Sequence, residues 1–271
     1  MLSYQHIYHA GNRADIQKHL WLITVLDYLL KKDKPFQWID THAGRGIYNL
    51  ESEEAQKIGE FQEGIYALMP LFKNTKELPP SLALYIEFIK NLNPTGQIKT
   101  YPGSAYIAAK MMRTTDRLYA HDMHKGEYAH LEKTLHNFIN TKLEFSDGYD
   151  SLKGKTPPAL KRGGVLCDPS FEIKTEYQSC AKKILSAYHK WPQGIYMIWY
   201  PILPAQNHLG MIEQLQSADI PKDKLIIDEW HFDEIERGME GTGMIIINPP
   251  YTGESELSKA KEHLKQPLKI L

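Results

Sequence analysis

Four acidic residues each follow a predicted strand, and together they could bind a nucleoside. They are Asp40, Asp122, Asp147 and Asp168. The carboxyl ends of parallel strands meet at one edge of an open α/β sheet, and ligands bind there. A carboxylate at that edge can accept both hydroxyl groups of a ribose, and an Asp-Gly backbone can meet the edge of an adenine. Each acid alone could equally cap a helix, so the prediction depends on the ordered set.

Glycines beside the first and third of these acids indicate close contact between backbone and ligand. Gly44 and Gly46 follow Asp40 and let the chain turn tightly. Gly148 follows the third acid. The turn after Asp40 is not a dinucleotide fingerprint, because Asn49 stands where that motif has its third glycine. The sequence also lacks the full Gly-x-x-x-x-Gly-Lys-Ser/Thr motif of a phosphate-binding loop.

The pattern of apolar residues predicts an α/β doubly wound sheet that would position these acids. Apolar strands alternate with helical patterns, which is typical of a mostly parallel sheet. The seven predicted strands are PFQWID, RLYAHD, KLEFSD, GGVLCD, GIYMIWYP, KLIIDEWHF and TGMIIINPPY. About a dozen residues without a helical pattern separate the last two, so we expect a hairpin and an antiparallel last strand. Residues 50–100 are predicted to form a small helical insertion within a single domain, residues 1–271.

The composition predicts a globular protein of a reducing compartment. Apolar residues make up 42% of the chain, yet no run approaches the roughly 18 residues of a membrane span. The N-terminus lacks a secretory signal, so we expect a cytoplasmic protein that does not bind membranes. The two cysteines form no Cys-x-x-Cys motif. The pairs His6-x-x-His9 and His121-x-x-His124 lack the further ligands that zinc needs, so no metal is expected.

The charge of the chain gives an ambiguous indication of its partner. A net charge of −1 argues mildly against a nucleic-acid-binding protein, which often has a large basic excess. One basic segment leads into the strand that ends at Asp168, and it is either a phosphate contact or a solvated loop. Its members are Lys153, Lys155, Lys161 and Arg162.

Several motifs resemble those of a known family, in order and at similar spacing. They are the opening LSYQHIYHAGNRADIQKH, then DTHAGRG, YPGS, SDGY and the closing GMIIINPP. On these motifs the chain resembles, over nearly its whole length, the RlmJ-type ribosomal RNA adenine-N6 methyltransferases. These are class I methyltransferases with a Rossmann-like fold. The resemblance implies S-adenosylmethionine as cofactor and protein-free 23S ribosomal RNA as partner, and we expect a monomer.

The resemblance also assigns roles to individual residues. The expected cofactor-binding residues are Lys18, His19, Asp40, His42, Gly44, Ser104, Asp122, Asp147, Gly148 and Asp168. Asp122 stands where the family usually has a glutamate, and the shorter acid would loosen its contact with the ribose. Tyr4, on the N-terminal tail, is expected near the target base.

The catalytic motif departs from the family pattern. Adenine-N6 enzymes normally carry Asp/Asn-Pro-Pro followed by an aromatic residue, whereas this chain has Asp168-Pro169-Ser170-Phe171. The Asp168 carboxylate and the Pro169 carbonyl can each accept one N6–H, which frees the nitrogen lone pair. Phe171 is expected to stack on the base and, with these two, to form the catalytic set. Ser170 lacks the rigidity of proline, so we expect a weaker or slower site, or one compensated elsewhere.

A second motif, Asn248-Pro249-Pro250-Tyr251, fits the adenine-N6 consensus better than the first. It follows the strand predicted to be antiparallel, so it would lie at the edge of the sheet opposite the cofactor. We therefore assign catalysis to Asp168. Two alternatives stay open. One is a DNA or small-molecule methyltransferase, and the other is an RNA-binding protein weakened in catalysis by Ser170.

Overall fold

The computed structural model describes residues 4–233 and 238–271, which form a seven-stranded sheet between helices. The strands are β1 (Gln37–Asp40), β2 (Ile47–Asn49), β3 (Thr100–Pro102), β4 (Arg117–Asp122), β5 (Thr141–Phe145), β6 (Gly163–Cys167), β7 (Ile195–Ile202), β8 (Leu225–His231) and β9 (Gly241–Ile247). The α-helices are α1 (Arg13–Leu30), α2 (Glu53–Ile58), α3 (Pro80–Leu92), α4 (Ser104–Met111), α5 (Lys125–Leu135), α6 (Gly148–Lys155), α7 (Glu176–Lys190), α8 (His208–Gln216) and α9 (Gly253–Leu264).

The strand order confirms the predicted α/β fold. The sheet runs β5-β4-β1-β6-β7-β9-β8, and the first five strands in that order pair in parallel. β9 is antiparallel to both of its neighbours, as predicted. It lies between β7 and β8 rather than at the edge. Because β1, β4, β6 and β7 are mutually parallel, their carboxyl ends share one edge of the sheet.

Each face of the sheet contributes to a different hydrophobic core. In β6, Leu166 joins the core that contains α1, α3, α4 and α9, while Val165 and Cys167 join the core that contains α7 and α8. This alternation follows from the pleat of a strand, which points successive side chains to opposite faces. A sheet covered on both faces explains why the central strands read as continuous apolar runs.

Residues 50–100 are helical, but much of the segment forms 3₁₀ rather than α-helix. Between α2 and α3 lie 3₁₀ turns at Glu60–Gln62, Ile65–Lys73 and Thr75–Glu77, and Pro70 interrupts the second of them. β2 and β3 pair antiparallel at the base of the segment. α3 packs against α1, so the segment shares its hydrophobic core with the sheet.

The basic segment before β6 has structural contacts. The guanidinium of Arg162 donates to the carbonyl oxygens of Leu29 and Lys34, near the end of α1. Lys155 donates to Glu144 Oε2 at 2.8 Å. Lys161 and Arg162 precede β6, which places them at the amino-terminal edge of the parallel strands. These contacts give Lys155 and Arg162 structural partners, and Lys153 and Lys155 lie in α6 rather than in a loop.

Candidate functional site

A cavity of about 420 Å³ opens at the carboxyl ends of β1, β4, β6 and β7. It brings together most of the residues singled out in the sequence. Those on its lining are Tyr4, Lys18, His19, His42, Gly44, Ser104, Asp122, Asp147, Gly148, Asp168 and Pro169. Asp40 and Phe171 are not on the lining. The residues that follow strands converge because parallel strands end at the same edge of the sheet.

The turn after β1 is tied to the end of β4. Gly44 donates its backbone N–H to Asp122 Oδ2 at 3.0 Å, and His124 donates to Oδ1 at 2.7 Å. Burial raises the pKa of Asp122 above its ordinary value, although these two hydrogen bonds oppose the shift. Gly44 has a φ of 58°, and a Cβ there would lie 2.0 Å from the Tyr48 hydroxyl. Gly44 and Asp122 therefore fix a narrow turn, and the Asp122 carboxylate lines the cavity.

The start of α6 lies directly against the loop after β1. Asp147 caps the helix, because its Oδ1 accepts the backbone N–H of Tyr149 at 2.8 Å. A Cβ on Gly148 would lie 2.0 Å from the carbonyl oxygen of Thr41. Only glycine allows the two backbones to approach this closely. The pair thus presents backbone and a carboxylate to the cavity.

Asp40 lies beneath the cavity and acts through its neighbours. It is fully buried, and Ser104 donates its hydroxyl to Asp40 Oδ2 at 2.7 Å. The backbone N–H of His42 donates to Oδ1 at 3.3 Å. Burial raises the pKa of Asp40 to about 7, against the hydrogen bond from Ser104. The structure therefore places Asp40 as a support for Ser104 and His42 rather than as part of the lining, which differs from the predicted cofactor contact.

His19 presents an unpartnered ring nitrogen. Its Nδ1 is 2.9 Å from the Tyr101 hydroxyl, which in turn is 2.9 Å from the hydroxyl of Tyr85. Nε2 of this buried histidine has no hydrogen-bond partner among the described residues. Burial lowers the pKa of His19 to about 3, so the ring is neutral at physiological pH. Because a buried polar atom is costly to leave unpaired, Nε2 points to a ligand in the cavity.

Asp168, at the end of β6, is held by a buried lysine. Lys18 Nζ is 2.6 Å from Asp168 Oδ2 and 2.8 Å from Asp15 Oδ1. Burial alone would lower the pKa of Lys18, but the two carboxylates outweigh it and raise the pKa above its ordinary value. Lys18 is therefore a permanent cation, and the structure places it against the proposed catalytic acid.

The same network continues to the N-terminal segment. His6 Nε2 is 2.9 Å from Asp15 Oδ2, and His6 Nδ1 is 2.9 Å from the Tyr4 hydroxyl. A continuous chain of contacts thus joins Tyr4 through His6, Asp15 and Lys18 to Asp168. Sequence reasoning missed His6 and Asp15 as site residues. The one feature of the sequence that could have indicated them is that both belong to the opening motif. No local pattern shows that α1 faces the end of β6.

Phe171 does not occupy the predicted position beside the base. Its side chain is 6% exposed and stacks on Tyr177 of α7, with ring centroids 4.2 Å apart. The residue adopts a φ of 52°, in the left-handed region that is unfavourable for a bulky side chain. Burial of the ring against Tyr177 offsets that cost. In this structure the aromatic residue of the motif belongs to the core.

The alternative motif at residues 248–251 lies at the opposite edge of the sheet. Asn248 follows β9 and donates its side-chain amide to the carbonyl oxygens of Pro192 and Gly194, just before β7 begins. Tyr251 is 98% exposed. The antiparallel direction of β9 therefore removes this motif from the cavity, as the topology predicted.

Comparisons with known proteins agree with this architecture. A family model described as "Ribosomal RNA large subunit methyltransferase D, RlmJ" matches residues 33–270. The chain belongs to this family. "Ribosomal RNA large subunit methyltransferase J" of Escherichia coli (strain K12) is 39% identical over 95% of this chain and 91% of its own length. The Haemophilus influenzae protein of the same name is 36% identical over 99% of this chain and 94% of its own.

A solved structure extends the comparison to the fold. The crystal structure of a protein from Legionella pneumophila superposes with a TM-score of 0.88 at 37% identity, covering 96% of this chain and 94% of that one. Membership of the family confirms the predicted enzyme class, a methyltransferase. Among the described residues, no helix is long and apolar enough to span a membrane.

Proposed function

We propose that this chain transfers a methyl group from S-adenosylmethionine to N6 of a specific adenine in 23S ribosomal RNA. The observation that carries the proposal is the position of Asp168. Its carboxylate lies on the cavity beside Pro169, with Oδ2 bound to Lys18, at the end of the strand next to β1. The relatives from Escherichia coli and Haemophilus influenzae carry names of ribosomal RNA large subunit methyltransferases, which supports this substrate class.

The cavity offers groups that fit S-adenosylmethionine. Asp122 provides a carboxylate for the ribose, and Asp147 with Gly148 provides a backbone edge for the adenine. The unpartnered Nε2 of His19 provides one further polar contact. When bound, S-adenosylmethionine supplies the activated methyl group. The protein residues position the acceptor nitrogen and exclude water.

Asp168 can activate the acceptor nitrogen through its free oxygen. Lys18 occupies Oδ2, whereas Oδ1 has no donor among the residues that the structure describes. Oδ1 and the carbonyl of Pro169 can each accept one N6–H. These hydrogen bonds draw the nitrogen towards tetrahedral geometry and localise its lone pair. After transfer the nitrogen carries an extra proton, which Asp168 can take up as a general base.

We propose that the target adenine enters this cavity by base flipping, because an adenine stacked in RNA cannot contact a carboxylate inside a cavity. The chain would act as one domain, monomeric and cytoplasmic, on protein-free RNA. The insertion at residues 50–100 and the N-terminal tail are the parts we assign to RNA selection. In support, its Glu60 lines the cavity and accepts hydrogen bonds from His9 and Asn12 of the N-terminal segment.

The cofactor affinity should rise with pH around neutrality. Asp40 has a pKa raised to about 7 by burial, so it is neutral below that pH and ionised above it. S-adenosylmethionine is a cation, and an additional nearby carboxylate charge favours its binding. From about pH 6 to about pH 7.5 we expect the Kd to fall about fivefold by calorimetry. Asp40→Asn, the matched control, should lose this component of the pH dependence, and an unchanged profile would contradict the assignment.

The substrate is tested by methyl transfer from labelled S-adenosylmethionine to unmodified 23S RNA, with 16S RNA and single-stranded DNA as competitors. We expect label in 23S RNA alone. Equal label in 16S RNA or in DNA would reject the proposed substrate. Cofactor binding without transfer to any of the three would favour an RNA-binding protein weakened by Ser170.

A further inference from the structure

One side of the cavity is apolar and lies next to Asp168. Its members are Trp199, Pro201 and Leu203, at the end of β7, and Met239, just before β9. The proposed cofactor residues come instead from the loop after β1, the ends of β4 and β5, and the starts of α1, α4 and α6. The apolar side is therefore available to the second reactant.

The register of the sheet places Trp199 beside the catalytic acid. Cys167 of β6 pairs in parallel with Ile198 of β7, so Asp168 and Trp199 are the next residues along the two strands. Trp199 is partly exposed, while every other residue of β7 is buried. The exposure of this one ring is therefore exposure to the cavity.

The Trp199 ring is held in place by the neighbouring strand. Its Nε1 donates to the hydroxyl of Thr242 on β9 at 2.8 Å. Phe171 lies behind it, with ring centroids 6.3 Å apart and the planes tilted by 45°. Because the indole N–H already has a partner, what the side chain can offer a ligand is its aromatic surface.

We propose that Trp199 is the residue on which the flipped target adenine stacks, with Pro201, Leu203 and Met239 forming the apolar wall of this base subsite. The inference rests on the proposed function and identifies a substrate residue of the same site. Stacking of a base on an aromatic side chain is a strong source of affinity that works for any base. Specificity for adenine then comes from Asp168 and Pro169, which bind its amino group.

Tryptophan fluorescence provides a direct test, since the other tryptophans, Trp21, Trp38, Trp191 and Trp230, are at most 1% exposed. Adenosine monophosphate is titrated into protein saturated with S-adenosylhomocysteine, which fills the cofactor half. We expect quenching in the native protein and none in Trp199→Leu or Trp199→Phe. Full quenching in either variant would overturn the proposal.

Steady-state kinetics separates stacking from a structural role. Trp199→Leu should raise the KM for RNA about tenfold with the KM for S-adenosylmethionine unchanged, and Trp199→Phe, which keeps an aromatic ring, should raise it less. Tyr251→Leu, the control at the opposite edge, should match the native protein. If Trp199→Leu keeps the native KM for RNA, or if Phe171→Leu alone raises it, the proposal is wrong.

The two proposals fail in different ways. If the native protein methylates no RNA, the proposed function is wrong, yet quenching by adenosine monophosphate still reports on the base subsite. If the native protein methylates 23S RNA and the Trp199 variants behave like it, the function stands and the subsite does not.

Discussion

Asp168→Ala is expected to lower kcat for methyl transfer about 10³-fold, within the range for loss of a general base. Alanine removes both acceptor oxygens, so the side chain can neither accept an N6–H nor take the proton from N6. It also leaves the Lys18 ammonium, 2.6 Å away in the native protein, without one of its two carboxylate partners. Single-turnover methyl transfer to 23S RNA measures the effect, and the affinity for S-adenosylhomocysteine should change much less.

The matched control is Asn248→Ala, in the motif that fits the adenine-N6 consensus better. Its amide contacts only loop carbonyl oxygens at the opposite edge of the sheet, so kcat should stay within about twofold of the native value. Catalysis that survives Asp168→Ala and fails in Asn248→Ala would reverse the assignment of the active site.

Lys18→Met is expected to destabilise the fold by about 3–5 kcal/mol and to reduce methyl transfer strongly. Lys18 is 3% exposed, and its ammonium lies within 2.8 Å of the carboxylates of Asp15 and Asp168. Removing the cation leaves the buried carboxylate of Asp15 and the partly buried carboxylate of Asp168 without the positive charge that neutralises them. Urea unfolding at about pH 7 measures the loss. Lys31→Met, an exposed lysine near the end of the same helix, should cost at most about 1 kcal/mol.

The destabilisation should depend on pH in a definite direction. Burial would raise the pKa of Asp15, but His6 and Lys18 outweigh it and hold the pKa well below its ordinary value. A carboxylate of this kind stabilises the fold above its unfolded pKa, about 4, and loses that contribution as the pH falls through the folded value. The difference between native and Lys18→Met should therefore be largest near neutral pH and shrink below about pH 4. A constant difference, or equal urea midpoints at neutral pH, would contradict this account of the network.

Local patterns were sufficient for the fold, but not for the arrangement of its last strands. Alternating strands and helices predicted the parallel sheet, and the short link before β9 predicted its antiparallel direction. That β9 inserts between β7 and β8 depends on which edges pair, which no local pattern encodes. In residues 50–100, apolar spacing predicted helices but could not distinguish α from 3₁₀, because Pro70 and the short turns decide it.

The candidate site was predictable where a residue's role follows from its place at a strand end. Asp122, Asp147 and Asp168 all reach the cavity for this reason. Asp40 ends a strand too, but its carboxylate is covered by Ser104, a contact between residues 64 positions apart in the chain. The roles of Asp15 and Trp199 arise from packing between α1, β6 and β7, so only the folded chain reveals them. The position of Phe171 was not predictable for the same reason, because its ring stacks on Tyr177 in the core.

Methylation of one adenine of 23S ribosomal RNA at N6, in the cavity beside Asp168, is what we propose for this chain. Unmodified 23S RNA is incubated with native protein and S-adenosylmethionine, digested, and analysed by mass spectrometry of its fragments and nucleosides. We expect N6-methyladenosine as the only new nucleoside, in a single fragment and approaching one methyl group per RNA molecule. A methyl group on another base or another adenine atom, or spread over many fragments, would contradict it.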